Sequence, residues 1–351
     1  MNIKMQTFLI PATRALLSIA MRTTVVLIAL LLPLAARAEP IKLKFSFFTS
    51  DRSYIYQNSI KPFVDAINKE GKGLVEIEMY FSGTISSVQA DQPQLVTDGI
   101  ADLALIVPGR TPQKFSDTAV MELPGLYRDQ REASLVFTRL TEAGDLKGYE
   151  NFFVVGAFVA DSESLHTRKP VASNEDLKGL TIRVNNQTQA KVLEKLGAIP
   201  TLLAINQTTE AISTDKLDGA TFPASMLFEF GVGRVTSNHY MIQLGGAPTV
   251  IVMDRKKFET LPSAIQTIIR KYSGPWLAEH SAASFEALDK LTLEQLKADP
   301  RRKVIFLSPA DSERMQRISA SVAEDWAALS PHNKELLTLV RAEIKNLRSS
   351  D

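Results

Sequence analysis

The segment DLKGLTIRVNNQTQAKVLEKLGAIP, residues 176–200, carries two strand patterns on either side of a helix pattern. In GLTIRV, the apolar residues Leu180, Ile182 and Val184 alternate with polar neighbours, as in a strand with one apolar face. The next stretch, NQTQAKVLEKLG, has helical spacing and ends at Gly197, the residue type that commonly follows a helix. A strand, a helix and a second strand in succession predict an α/β fold with parallel strands.

The same alternation of strands and helices extends outward from this segment. Towards the N-terminus, strand patterns occur in IKLKFSFF, GLVEIEMYF, ADLALIV and NFFVVGAFVA, and helix patterns occur between them. The pattern starts again after residue 160, so we predict two lobes of like construction. After APTVIVMD the chain is almost entirely helical, with helix-start signals at Asp254, Pro275 and Ser308.

The first 38 residues have the composition of a secretory signal peptide. They contain four basic residues, no acidic residue, and an apolar run over 25–34 that is too short to span a bilayer. An Ala-Arg-Ala sequence ends at Ala38 and has small residues at both positions that a signal peptidase reads. We therefore expect export with cleavage after Ala38, from a start at Met1 or at Met21.

The composition of the remaining chain argues against several classes of function. Without the four basic residues of the signal, 36 Lys and Arg face 39 Asp and Glu, a net charge of −3 that does not favour nucleic acid. The absence of cysteine excludes disulfides, thiol catalysis and thiolate zinc sites. No two of the four histidines have metal-ligand spacing, and no nucleophile or phosphate-loop motif occurs. Asp102, Glu122 and Asp218 are interpreted as turn and cap residues. We expect neither an enzyme nor a cofactor.

Arg183 is the residue that the strand pattern does not explain. It lies one residue from the carboxyl end of its predicted strand, before a helix whose first turn contains Asn185. Carboxyl ends of parallel strands open onto ligand crevices, and a guanidinium beside helix N-terminal amides suits a carboxylate. The other interpretation is an arginine that reaches out of an edge strand to pair with a surface acid. The local pattern leaves both interpretations open.

Longer stretches resemble the substrate-binding proteins of tripartite ATP-independent periplasmic (TRAP) transporters, the DctP-like family. The quoted segment carries the most specific resemblance, and YFSGTISSVQADQPQLVTDGIADLALIVPGRTPQKFSDTAVMELPGLY, TEAISTDKLDGATFP and VMDRKKFETLPSAIQTIIRKYSG follow the family pattern in order. Together the matches cover essentially residues 41–350. The resemblance implies a two-lobed periplasmic receptor whose long C-terminal helices span both lobes, with a ligand cleft between the lobes. It also implies that Arg183 pairs with the carboxylate of a small organic acid.

The chain departs from the family pattern in ways that bear on the ligand. Many members carry a second arginine about twenty residues before the first, where this chain has Ser162 or Glu163, and Arg168 replaces it only if the alignment is shifted. Phe222 stands where the family has an asparagine before proline. We therefore expect a less polar pocket that holds a monocarboxylate against Phe222.

Two further arginines are candidates for a second cation in the pocket. Arg110 follows the predicted strand ADLALIV, and Arg52 lies in the first strand–helix loop. Each is equally compatible with a solvated loop residue. A further departure is Asp215, which stands where the family usually has glycine.

The resulting expectation is a monomeric receptor that delivers a small organic acid to the permease subunits of a TRAP transporter. One lobe is expected to comprise residues 39–160 with 249–288, and the other 161–248 with 289–351. Two other functions remain open on the sequence: a receptor that presents its ligand to a membrane sensor, and a secreted enzyme built on a receptor fold.

Overall fold

The protein consists of two β-sheets, each with helices packed on both faces. The computed structural model describes residues 39–160 and 162–350. The predicted signal peptide, residues 1–38, and the cleavage site at its end lie outside the described residues. None of the helices in the described ranges is long and apolar enough to cross a membrane.

Eleven strands occur in the described part of the chain. In chain order they are β1 (Ile41–Ser46), β2 (Val75–Tyr80), β3 (Leu103–Ile106), β4 (Phe152–Val159), β5 (Ser164–Thr167), β6 (Thr181–Val184), β7 (Ile199–Leu202), β8 (Gly219–Phe222), β9 (Asn238–Met241), β10 (Pro248–Asp254) and β11 (Lys303–Phe306).

The strands form a five-stranded sheet in the order β2-β1-β3-β10-β4 and a six-stranded sheet in the order β11-β9-β5-β8-β6-β7. The pairs β1–β2, β1–β3, β6–β7 and β6–β8 are parallel, as the strand–helix alternation predicts. However, β10 runs antiparallel to β3 and β4, and β5 runs antiparallel to β8 and β9. The prediction of largely parallel sheets is therefore wrong for these two strands, which lie where the chain passes from one sheet to the other.

Eleven α-helices accompany the strands in the described ranges. They are α1 (Lys61–Glu70), α2 (Gln92–Thr97), α3 (Gln130–Ala143), α4 (Gln187–Lys195), α5 (Thr208–Ser213), α6 (Val232–Val235), α7 (Arg255–Thr260), α8 (Ser263–Lys271), α9 (Pro275–Ala298), α10 (Pro309–Ala327) and α11 (Pro331–Ser350). Shorter 3₁₀ turns, including Pro108–Arg110 and Ser116–Glu122, and a π-helical turn, Tyr56–Ile60, connect them.

The helix starts follow the sequence signals closely. The Asp254 carboxylate accepts a hydrogen bond from the Lys257 amide at 2.8 Å, and the Ser308 hydroxyl accepts one from the Asp311 amide at 3.1 Å. α9 begins at Pro275. The predicted helical segment after Asp254 differs in one respect, because α7 ends before Leu261 and Pro262, and a new helix begins after them.

The C-terminal helices contact both sheets. α9 packs on β4 and also contacts β11, α10 packs on α4, and α11 packs on α3. Within α10, Val322 belongs to the core of the second sheet and Trp326 to the core of the first. This arrangement confirms the predicted mixed α/β architecture with long C-terminal helices shared by both halves.

Candidate functional site

The strand β6 places Arg183 inside the second sheet. Ile182 and Val184 point into one core, and Arg183 points to the other face with only 1% of its surface exposed. β6 is flanked by β7 and β8, so Arg183 lies opposite Thr201 and Ala220 rather than at a sheet edge. The interpretation of Arg183 as an edge-strand residue that pairs with a surface acid is therefore excluded.

The guanidinium of Arg183 donates three hydrogen bonds to the protein. Nε donates to the Leu203 carbonyl at 3.1 Å, Nη1 to the Thr221 carbonyl at 3.0 Å, and Nη2 to Asn185 Oδ1 at 3.3 Å. Because a guanidinium has five N–H groups, Nη1 and Nη2 each retain one N–H that no described residue accepts. These two nitrogens form the end of the fork that binds a carboxylate bidentately.

Glu163 is the acid nearest to Arg183. Its Oε2 lies 4.0 Å from Arg183 Nη1, beyond hydrogen-bond distance, and accepts a hydrogen bond from the Thr221 hydroxyl at 2.8 Å. Glu163 is 3% exposed, so the two opposite charges face each other away from water. Where the family resemblance places a second arginine, this chain therefore holds a buried carboxyl group.

Arg110 reaches the same site from the first sheet. It ends the 3₁₀ turn that follows β3, and its Nη2 donates to Asn185 Oδ1 at 2.9 Å. The side-chain amide oxygen of Asn185 thus accepts a hydrogen bond from each arginine. Burial lowers the pKa of Arg110 and lowers that of Arg183 to about 10, while Glu163 opposes both shifts.

Glu122 is a site residue that the sequence interpretation missed. It ends the turn Ser116–Glu122, is 7% exposed, and has no side-chain hydrogen bond to a described residue. A Cβ added at Gly109 would lie 2.9 Å from Glu122 Oε1, so the carboxyl group packs directly against this glycine. Burial and the nearby Glu163 raise the pKa of Glu122 to about 8, against the opposing effect of Arg110. An acid within the apolar stretch AVMELPGL was the available signal.

Phe222 lies in a buried core, whereas Arg52 lies on the surface. Phe222 ends β8, is fully buried in an apolar cluster, and has its ring centroid 5.6 Å from the Arg183 guanidinium carbon. Arg52 is exposed in the loop after β1, and no contact joins it to the other candidates in the described ranges. The structure therefore brings together Arg183, Arg110, Asn185, Glu163 and Phe222, but not Arg52.

Two other sequence features receive structural explanations. Asp215 has φ of 58°, the left-handed conformation for which glycine is usual, and its carboxylate pairs with Arg168. Asp102 and Asp218 accept hydrogen bonds from the backbone amides of Lys44 and Thr181, at 2.8 and 2.9 Å, as turn residues do. Among the described residues, no group of three or more acids and histidines could hold a metal ion.

A cavity of about 460 Å³ opens beside Arg110. Part of its wall is polar and includes Arg110, Glu122, Asn185 and Asn186; another part is apolar and includes Leu202, Val322, Trp326 and Leu329. Arg183 does not line this cavity, but Asn185 joins the two through its hydrogen bonds. A second cavity of about 470 Å³ is lined by none of the predicted site residues.

Comparisons with known proteins identify one group of relatives. The family model of bacterial extracellular solute-binding proteins, family 7 (DctP), matches residues 45–329. The C4-dicarboxylate-binding periplasmic protein DctP of Rhodobacter capsulatus is 24% identical over 334 residues, covering 88% of this chain and 96% of that protein.

Solved structures show the same fold. A TRAP solute-binding protein from Rhodoferax ferrireducens T118, in complex with copurified benzoate, has a TM-score of 0.79 and 25% identity, covering 88% of this chain and 99% of that one. A marine metagenome TRAP solute-binding protein specific for aromatic acid ligands, in complex with 3-hydroxybenzoate, has a TM-score of 0.81 and 20% identity, with the same coverage.

Proposed function

Because the chain belongs to family 7 of the bacterial extracellular solute-binding proteins, the DctP-like receptors of TRAP transporters, we propose that it captures a small monocarboxylate and delivers it to a TRAP permease. Members of this family are periplasmic receptors rather than enzymes. Export would use residues 1–38, with cleavage between Ala38 and Glu39. Mass spectrometry of the exported protein tests this step, since a mature chain that does not begin at Glu39 would contradict it.

The observation that carries the proposal is the environment of Arg183. A buried cation is costly unless an anion and hydrogen-bond acceptors compensate its charge. Here the nearest carboxyl oxygen is 4.0 Å away, and Nη1 and Nη2 each keep one N–H without an acceptor among the described residues. A ligand carboxylate bound to Nη1 and Nη2 would supply both the charge and the acceptors.

The charges of the site favour one carboxylate over two. Arg110 and Arg183 contribute two positive charges and Glu163 one negative charge, while Glu122 is largely protonated at neutral pH because its pKa is raised to about 8. The remaining charge of +1 matches a monoanion. The relative with copurified benzoate supports a monocarboxylate, and the buried ring of Phe222 lies 5.6 Å from the guanidinium carbon.

Substitution of Arg183 tests the proposal directly. Truncation of one partner in a buried charged pair costs about 2–5 kcal/mol, or roughly 30- to 3,000-fold in affinity. We expect this loss for Arg183→Ala, and a substantial loss for Arg183→Lys, because an ammonium lacks the planar fork. Isothermal titration with acids selected from a thermal-shift panel that includes benzoate and succinate provides the measurement.

The exposed Arg52 offers a matched control. Arg52→Ala removes the same charge from the surface of the protein, and we expect the affinity to remain within about threefold of wild type, as is usual for exposed charges. Circular dichroism verifies that each variant is folded. If folded Arg183→Ala binds as tightly as Arg52→Ala, the carboxylate does not pair with Arg183.

A further inference from the structure

Two polar side-chain groups beside Arg110 have no hydrogen-bond partner in the described ranges. Asn186 Nδ2 is a buried atom without a partner, and Glu122, which is 7% exposed, makes no side-chain hydrogen bond. Buried polar groups are nearly always hydrogen-bonded, because burial without a partner costs free energy. Both residues line the cavity of about 460 Å³, so a molecule in that cavity lies beside them.

The cavity has the features of a ligand subsite. Its volume lies within the range of small-molecule sites, and its wall combines apolar side chains with a few polar groups. Asn186 caps α4, its Oδ1 accepting from the Gln189 amide at 2.9 Å, so the N-terminus of this nine-residue helix also borders the cavity. The apolar wall provided by Trp326, Val322 and Leu329 suits the carbon skeleton of a ligand.

The two polar groups indicate which functional group fits between them. An amide nitrogen only donates, whereas a protonated carboxyl group both donates and accepts. Glu122 is largely protonated at neutral pH, since burial raises its pKa. A ligand hydroxyl group can accept a hydrogen bond from Asn186 Nδ2. It can also donate a hydrogen bond to the Glu122 carboxyl group or accept one from it. A second carboxylate would place another negative charge near Glu163, whose charge already helps to raise the pKa of Glu122.

We propose that this cavity is a subsite for a hydroxyl group of the ligand, with Glu122 and Asn186 as its hydrogen-bond partners. The receptor then prefers hydroxylated monocarboxylates to the same acids without the hydroxyl. The inference rests on the proposed function, because the ligand carboxylate must first be held at the arginines. Asn185 connects the two places, since its Oδ1 accepts from Arg110 and Arg183 and its side chain lines the cavity.

Paired acids test this preference in the mature protein. Isothermal titration compares benzoate with 3-hydroxybenzoate and 4-hydroxybenzoate, and propionate with lactate. In wild type we expect at least one hydroxylated acid to bind about 5- to 150-fold more tightly than its parent, as one hydrogen bond to a buried polar group provides. A wild-type protein that binds no hydroxylated acid more tightly than its parent overturns the inference.

Variants of Glu122 assign the effect to this residue. Glu122→Leu should reduce the affinity ratio within a pair to about one, whereas Glu122→Gln, which can still donate and accept, should retain most of it. A preference that persists in Glu122→Leu also overturns the inference. If Glu122→Leu does not fold, titration of wild type with 3-methoxybenzoate serves as the test instead. Because a methoxy group cannot donate a hydrogen bond, 3-methoxybenzoate should bind no more tightly than benzoate. Tighter binding of 3-methoxybenzoate contradicts the assignment.

The same titrations separate this inference from the proposed function. Arg183→Ala should weaken both members of each pair to a similar extent and leave their ratio unchanged. If the carboxylates bind and depend on Arg183 but the hydroxyl has no effect, only the subsite is wrong. If Arg183→Ala leaves the affinity for every acid unchanged, the carboxylate site itself is wrong.

Discussion

Arg183 and Glu163 form a charged pair whose geometry is incomplete. Both side chains are almost entirely buried, yet their closest charged atoms are 4.0 Å apart and share no hydrogen bond. Glu163 is held instead by the Thr221 hydroxyl and by the backbone, where its amide donates to the Gly245 carbonyl at 2.9 Å. Glu163 thus compensates part of the charge of Arg183 while leaving the outer end of the guanidinium to another acceptor.

This role of Glu163 leads to a prediction about selectivity. Glu163→Gln removes a negative charge from the site, so the charge available to ligands rises from +1 to +2. We expect a lower melting temperature without ligand, because removal of one partner from a buried pair costs up to about 3–5 kcal/mol. We also expect each ligand to raise the melting temperature of Glu163→Gln more than that of wild type. This increase in the ligand-induced shift should be greater for succinate than for benzoate.

Thermal-shift titrations of wild type and Glu163→Gln with both acids provide the measurement. Arg52→Ala again serves as the control for a change of one charge on the surface. Unchanged discrimination between succinate and benzoate would mean that Glu163 does not set the number of carboxylates that bind.

Among single residues, Arg183 could be predicted from the sequence and Glu122 could not. Arg183 could be selected because it interrupts an apolar strand at the carboxyl end, where ligands bind. Glu122 could not be selected in this way, because its burial at the end of the turn Ser116–Glu122 follows from tertiary packing rather than from local pattern. The roles proposed for Arg183, Arg110, Asn185, Glu163 and Phe222 remain predictions until a ligand is measured.

At the scale of elements, long periodic segments were predictable, whereas β5, β9 and β11 of the second sheet were not. β5 and β9 have four residues each, as β6 has, but they lack the alternating apolar residues that mark β6. β5 and β9 are also buried on both faces, so their polar residues do not mark a solvent-facing side. Their placement follows from pairing across the sheet, which a single sequence does not display.

A chain of hydrogen bonds ties β5, β8 and β9 together. Arg302 Nη1 donates to His239 Nε2 at 3.4 Å, the Nδ1 atoms of His239 and His166 are 2.8 Å apart, and His166 Nε2 donates to the Phe222 carbonyl at 3.1 Å. Because that carbonyl only accepts, His166 carries its proton on Nε2, and His239 carries its proton on Nδ1. The chain therefore requires both imidazoles to be neutral.

The neutral histidines predict a pH dependence of stability. Burial lowers the pKa of His166 to about 4 and that of His239 to about 3, while both titrate near 6.5 in the unfolded chain. The unfolded state therefore binds protons first, and the stability contribution is complete above about pH 6.5 and falls as the pH decreases towards 3. Between pH 7 and 5 we expect a loss of about 1–2 kcal/mol for one such histidine.

Urea unfolding at pH 7 and pH 5 measures this loss. His166→Gln retains an amide that can donate to the Phe222 carbonyl but cannot titrate, so its free energy of unfolding should fall less than that of wild type between the two pH values. The partly exposed His332, which contacts Asp117, supplies the control variant His332→Gln. An equal loss in wild type and His166→Gln would show that the histidine chain is not the acid-sensitive element.

At the scale of the whole molecule, hydrogen bonds between described residues join the parts of the chain that carry the two sheets. Arg110, after β3, donates to Asn185, after β6, and the Tyr54 amide donates to Glu229 Oε2 at 3.0 Å. The chain itself passes between the sheets from β4 to β5, from β9 to β10 and through α9. We propose that the sheets with their helices are two lobes and that these passages are the hinge. In this proposal α11 goes with the first sheet, because it packs on α3, and not with the second lobe to which the sequence assigned residues 289–351.

The charges of the two arginines explain why ligand binding favours closure of this hinge. Closure brings Arg110 towards Arg183 in a buried site where Glu163 compensates only one of the two positive charges. A ligand carboxylate supplies the missing negative charge only when both arginines face it, so it binds the closed form more tightly and shifts the population towards it. Small-angle scattering should therefore show a smaller radius of gyration with saturating benzoate or hydroxybenzoate than without. Arg183→Ala should show no such decrease at the same acid concentration, and an unchanged wild-type profile at proven saturation would exclude closure by hinge motion.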